Sequence, residues 1–210
     1  MSYEIRHTDE NVVCVSMKYK EGWEQWVLLT SDRHWDNPHS NRGMQKKHLD
    51  EAREKNAIII DNGDFFCAMQ GKYDRRHSKE DVRSEHQHGN YLDRLVDTAV
   101  KWFEPYADMF VQIGEGNHES AIRKHHETDL IDRLVNGLND KTKSNIQYGG
   151  YSGWVRFLFE HETGCNRKSL NLYRHHGYGG GGPVTKGVIA TNRFGVYLPD
   201  AHFVIMGHIH

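Results

Sequence analysis

Residues 109–119 read MFVQIGEGNHE: five mostly apolar positions that run without a linker into Gly114-Glu115-Gly116-Asn117-His118-Glu119. A short run rich in Val and Ile, bounded by Gly or Asp, has the pattern of a strand covered on both faces. The same arrangement recurs through the chain. Trp26–Thr30 (WVLLT) leads into Ser31-Asp32-Arg33-His34, and Ala57–Ile60 (AIII) into Asp61-Asn62-Gly63-Asp64. Leu170–Tyr173 (LNLY) leads into Arg174-His175-His176-Gly177, and His202–Met206 (HFVIM) into Gly207-His208-Ile209-His210. Trp154–Glu160 reads as one more strand, although it alternates poorly.

Helical patterns lie between these runs. Arg42–Asn56 is charged and punctuated by Met44, Leu49 and Ala52. Tyr91–Phe103 carries Leu92, Leu95, Val96, Ala99 and Phe103 on one face of a 3.6-residue period. Thr128–Leu138 sets Leu130, Ile131, Leu134 and Val135 behind Thr128 as N-cap. A strand-then-helix rhythm predicts a layered α/β domain, in which sites gather at the carboxyl ends of the strands. Every polar cluster quoted above falls at such an end. The one low-complexity stretch, Gly177–Gly182, lacks the Lys-Ser/Thr ending of a phosphate loop and reads as a hinge.

At 210 residues, 37% hydrophobic and 27% charged, the chain suits one domain over 1–210 with a sizeable core. A formal net charge of -2 gives no general attraction to nucleic acid or to an anionic membrane, and leaves only a local basic patch for that purpose. Met1–Asn11 has no apolar h-region, and no apolar run is long enough to span a bilayer. Three cysteines, Cys14, Cys67 and Cys165, are too few and too scattered for a disulfide framework, so a reducing, cytoplasmic setting is expected. Histidine is the outlier, with 16 copies, and it is the commonest metal ligand.

Taken singly, each cluster has an ordinary explanation. Gly63-Asp64 is a turn, Gly116-Asn117 a left-handed corner, and Asp32-x-His34 a turn Asp beside a surface His. Taken in order, Asp-x-His, Gly-Asp, Gly-Asn-His-Glu, His-Gly and Gly-His-x-His each follow a strand. From about Trp26 to its last residue the chain thereby resembles the calcineurin-like metallophosphoesterases.

The resemblance implies a four-layer α/β/β/α sandwich with two mixed β-sheets and a dinuclear metal site at the strand ends. Two divalent ions about 3.5–4 Å apart would hold a hydroxide and the phosphate oxygens for in-line displacement. It assigns Asp32, His34 and His210 to the first ion, and Asn117, His208 and one of His175 or His176 to the second. Asp64 would bridge. Of the two histidines, alternation along a strand lets only one face the site, and His176 is preferred because it directly precedes Gly177. Mn²⁺ is the first choice of metal, with Fe or Zn²⁺ also suited to a carboxylate, imidazole and amide shell. His118 would not ligate but protonate the leaving oxygen. Glu119 would either orient His118 or cap the following helix, with the cap preferred, and Asp36 and Asn37 read as either outer partners of the ligands or a turn at Asn37-Pro38.

Three departures narrow the reading. Ser/Thr protein phosphatases of that family carry Gly-Asp-x-x-Asp-Arg-Gly and an Arg before Gly-Asn-His-Glu. Here Gly63-Asp64 is followed by Phe65-Phe66-Cys67-Ala68, and Glu115 takes the place of the Arg. The family continues with further strands after Gly-His-x-His, whereas His210 is the last residue given, so the fold is either minimal or continued beyond it. A polar insert, Gln70–His88, contains Arg75 and Arg76, which could meet a substrate phosphate or belong to a solvated face. The expected activity is therefore metal-dependent phosphodiester hydrolysis, with a nucleic acid or nucleotide as substrate. A small-molecule phosphomonoesterase or nucleotide phosphatase is the alternative within the class. An inactive metal-binding subunit or regulator is the alternative outside it.

Overall fold

The computed structural model describes residues 3–9, 11–68, 82–180, 182, 184 and 187–209. Nine strands form two sheets among them. Strands β1 (Tyr3–Asp9), β2 (Val12–Tyr19), β7 (Ser152–His161), β8 (Arg167–His175) and β9 (Phe203–Met206) make a mixed sheet in the order β1-β2-β7-β8-β9. Strands β3 (Val27–Thr30), β4 (Ile58–Asp61), β5 (Phe110–Ile113) and β6 (Gln147–Tyr148) make the second, in the order β3-β4-β5-β6. All three ladders of this second sheet are parallel, so one sheet is mixed and the other is not, in place of the two mixed sheets expected. The crossovers explain it. Each returns through helix α1 (Arg42–Glu54), α2 (Tyr91–Phe103) or α4 (Leu130–Thr142), which brings the chain back to the same starting edge.

Alternation along the strands divides the core in two. Ile59 and Phe110 face the buried sides of α1, α2 and α4, including Leu49, Leu95 and Leu134. Ile58, Ile60 and Val111 point the opposite way and meet Val13, Val15, Val155, Phe157 and Leu172 of the mixed sheet. On the far face of the mixed sheet, Phe194 of helix α5 (Val188–Tyr197) touches the rings of Tyr173 and His175. No helix among the described residues is long and apolar enough to cross a membrane.

Helix α2 covers the span its periodicity predicts. Helix α4 begins two residues later than expected and is capped by Asp129, whose carboxylate accepts the amides of Ile131 and Asp132, both at 3.0 Å. Thr128 instead turns its hydroxyl to the carbonyl of His126 at 3.1 Å. A carboxylate serves two amides and favours the helix dipole, which a hydroxyl does not match. The β3 and β9 runs, expected to be buried, are edge strands: Trp26 is 50% and Phe203 56% exposed.

Two buried arginines fix the ends of the sheets. Arg33, just past β3, pairs with Asp61 at the end of β4 at 2.5 Å, and its guanidinium lies 5.7–5.9 Å from the rings of Phe65, Phe103 and Phe110. Arg174 points inward from β8 and crosses to the parallel sheet. There it donates to Gln112 at 2.6 Å and to the carbonyls of Gly149 and Gly150. It is fully buried, and burial pushes its guanidinium down to about 10.

Breaking a buried ion pair from one side leaves an uncompensated charge, at a cost of about 3–5 kcal/mol. Asp61→Ala is expected to lose stability of that order in urea denaturation, and Arg33→Met with Asp61→Leu much less. Equal losses in the single and double variants would show that packing, not charge, holds this corner.

Candidate metal centre

The loops that leave β3, β4, β5, β8 and β9 meet at one end of the two sheets, and their backbones are tied before any side chain is considered. The amide of Asp32 donates to the Gly63 carbonyl, that of His34 to Asp64 and that of Trp35 to Phe65, each at 2.9 Å. Glu119 of helix α3 (Asn117–His126) accepts the Gly116 amide at 2.8 Å, the capping contact expected of it, and also the Phe66 amide at 2.7 Å. It therefore joins the Gly-Asp loop to the Gly-Asn-His-Glu loop. Enclosed on every side, its carboxyl lies well above the usual carboxylate range, raised by burial and then by the charge of Asp64. The last loop is tied in by the amide of His208, which donates to both oxygens of Asp32 at 3.0 Å.

Close approach dictates two of the glycines. A Cβ on Gly116 would collide with the Asp64 carboxylate, and one on Gly207 with Ser31 and, at 2.6 Å, with Asp32. The side chains brought together are themselves held in left-handed backbone: Asp32 has φ 53°, His34 41°, Asp64 49° and His208 72°. Non-glycine residues adopt that region rarely, at a cost of about 1–3 kcal/mol each.

Two of the groups of ligand-type atoms that result, each within 4.8 Å, share one carboxylate: Asp32 with His34 and Asp64, and Asp64 with His176 and His208. Asp64 belongs to both. Its Oδ2 is 3.1 Å from Nε2 of His176, and its Oδ1 accepts the His118 amide at 3.0 Å. The Oδ1 of Asn117 lies 2.6 Å from Nδ1 of His208 and 3.2 Å from Nε2 of His176. His176 is thus the histidine at the centre. On its far side Nδ1 donates to the Asn62 carbonyl at 3.0 Å, which fixes the tautomer and leaves Nε2 aimed inward. His175 faces away, packed on Tyr151, Tyr178 and Phe194, with Nδ1 accepting the Gly177 amide at 2.9 Å. His210, Arg75 and Arg76 lie outside the described residues. The donor set of the two groups is carboxylate, imidazole and amide with no thiolate, which fits hard to borderline divalent ions such as Mn²⁺, Fe or Zn²⁺.

His118 sits at the rim, its ring 4.9 Å from that of His34 and its Nε2 3.9 Å from Asp64 Oδ2. Its Nδ1 donates to the Cys67 carbonyl at 2.6 Å. A backbone carbonyl, rather than a carboxylate, therefore orients the ring. Asp36 does not touch the ligands. It holds the Cys67 and Ala68 amides and so fixes the carbonyl that orients His118. Asn37 forms the turn expected of it, donating its amide to the His34 carbonyl at 2.9 Å, and its side chain reaches Cys67 Sγ.

Burial disfavours the charged forms of Asp64 and His176, but each outweighs it for the other. The Asp64 carboxyl is held below its ordinary value of 3.8 and the His176 ring above its ordinary 6.5. A raised imidazole stabilises the fold below pH 6.5, and that contribution is lost as pH rises through the folded value. A depressed carboxylate adds its share above about pH 4, lost as pH falls through its folded value. The metal-free protein is therefore expected to lose stability on going from pH 6 to pH 9, and His176→Asn to flatten that slope in pH-dependent urea melts. His175→Ala should keep it; identical slopes in all three proteins would sever the pair from the effect.

No protein-family model, no curated protein and no solved structure matches this chain.

Proposed function

We propose that the chain is a dinuclear metal-dependent phosphoesterase, with a phosphodiester of a nucleic acid or nucleotide as its substrate. One observation supports this above the rest: a single buried carboxylate, Asp64, belongs to both ligand groups, and His118 stands beside it without belonging to either. A lone structural ion needs no shared carboxylate, and an ion pair needs no oriented imidazole at its rim. Phosphoryl transfer uses both. The four-layer form of the fold goes with this reading, α5 supplying the outer layer on the mixed sheet. So does a cytoplasmic setting, in keeping with three cysteines too few and too scattered for a disulfide framework.

In this reading Asp32, His34 and His210 hold the first ion, Asn117, His176 and His208 the second, and Asp64 both. When bound, the ions supply Lewis-acid polarisation of the phosphoryl group and activation of water. The protein supplies the rest. Left-handed turns and amide ties aim the ligands before the ions arrive, and Asn62 keeps His176 in the tautomer that presents Nε2. His118, with Nδ1 committed to the Cys67 carbonyl, holds a transferable proton on Nε2 and delivers it to the departing oxygen. A diester is preferred to a protein phosphate because the Arg that the protein phosphatases place before Gly-Asn-His-Glu is replaced here by Glu115. That carboxylate is buried and engaged by Arg123 at 3.0 Å and by the Tyr148 hydroxyl at 3.1 Å.

Turnover of single-stranded DNA, RNA, cyclic nucleotides and phosphomonoesters with added Mn²⁺ tests the proposal, and inactivity on all of them despite two bound ions would favour a binding subunit. Asp64→Asn is expected to abolish nearly all activity and weaken both ions. Two Mn²⁺ bound at wild-type affinity in calorimetry would remove the bridging role. His118→Asn is expected to keep both ions and lose about 10²–10⁴-fold in kcat/KM on a natural diester, where the leaving oxygen needs a proton. On a p-nitrophenyl ester the loss should be far smaller. Equal losses on the two substrates would make His118 an electrostatic stabiliser instead.

A further inference from the structure

One cluster beside the centre shares His34 and His118 with the chemistry above and adds a thiol that the chemistry leaves unused. Cys67, His34 and His118 each place one ligand atom within 4.8 Å of the others. This is a different donor set from the two groups already described, because it contains sulfur. The loop that carries Cys67 is fixed, with its amide and that of Ala68 held by Asp36. Cys67 is buried, at 7% exposure, and the Asn37 side-chain amide lies 3.3 Å from Sγ. The two imidazoles beside it stand edge to face, 4.9 Å between centroids.

We propose that Cys67, His34 and His118 form a capture site for a thiophilic divalent ion, Zn²⁺ or Cd²⁺, and that filling it inhibits the enzyme. Two imidazoles and a thiolate are a donor set that zinc takes readily and manganese does not. With metal–ligand bonds of about 2.0–2.3 Å, tetrahedral ligand atoms stand roughly 3.5 Å apart. The three atoms here need at most about an ångström and a half of side-chain movement to close on one ion. Binding forms a metal–sulfur bond and two metal–nitrogen bonds, and releases the thiol proton to solvent. Water completes the shell. The inhibitory half of the proposal rests on the phosphoesterase reading: an ion held here takes the imidazole of His118 away from the leaving oxygen and draws His34 from the first metal position. The thiolate is the soft donor of the three, and an oxygen donor in its place would remove the preference for soft metals.

The test uses the full chain with Cys14→Ser and Cys165→Ser, so that Cys67 is the single thiol. Cd²⁺ titration is followed by the ultraviolet thiolate-to-metal charge-transfer band. One equivalent is expected to develop the band, Cys67→Ser to abolish it, and His34→Asn and His118→Asn each to weaken Cd²⁺ binding by at least about tenfold. Thermal melts of each variant confirm that it is folded, and Cys67→Ala repeats the measurement should Cys67→Ser be destabilised. No band, or a band whose affinity ignores both histidine variants, overturns the site. Separately, inhibition of the Mn²⁺-loaded enzyme by Zn²⁺ is expected to require at least about tenfold more zinc in Cys67→Ser than in the parent. Unchanged zinc sensitivity overturns the inhibitory role. Should no ester be hydrolysed, the phosphoesterase reading fails while the charge-transfer titration still decides whether the ion is captured.

Discussion

The end of the molecule that carries the site is organised around the carboxylate of Asp64. Its side chain is almost wholly enclosed, and it is met by the His176 ring, the His118 amide and the flank of Gly116. A buried anion of this kind is tolerated only where opposite charge or hydrogen bonds compensate it. The requirement propagates outward. Gly116 has no side chain because the carboxylate occupies the space, and Glu119 beneath it ties the two loops that deliver Asp64 and His118. Two buried carboxyls so close cannot both be charged at little cost, and the one held higher is Glu119, whose work is structural.

Both sheets contribute to this one end, so their relative placement is part of the site. Asp32, Asp64 and Asn117 follow strands of the parallel sheet, whereas His176 and His208 follow strands of the mixed one. Apolar packing between the sheets is non-directional and does not by itself set the offset of the strand ends. Arg174 does, because its donors are matched to particular carbonyls at the mouth of the parallel sheet. It has Gln112 and two glycine carbonyls as acceptors, and among the described residues no carboxylate hydrogen-bonds to it.

Much of this was legible locally. Continuous apolar runs located β4 and β5, a 3.6-residue period gave α2 end to end, and the polar clusters after the runs are the residues that converge. What was not legible depends on neighbours. Whether WVLLT is central or at an edge is decided by which strand lies beside it, and nothing in those five residues says that none does. The parallel character of the second sheet is a property of crossovers. The β1–β2 hairpin does carry a local signal, Val13, Val15 and Met17 alternating after Asn11, which turns at φ 60°. Helix α5 has no buried residue and so little period to detect. At the site, the acceptor that orients His118 is a backbone carbonyl, a group every residue has, and no side-chain pattern could reveal it.

The four ligand-type residues in left-handed backbone have an evolutionary consequence. Each is a position where glycine or asparagine would relax the chain, and where the present residue strains it. Laboratory selection of this protein for heat resistance alone, in metal-free medium, would therefore drift toward Gly or Asn at 32, 34, 64 and 208, and would erase the centre while improving the scaffold. A thermostability map of the chain, read for where stabilising changes crowd together, would trace the outline of the site with no knowledge of what it binds.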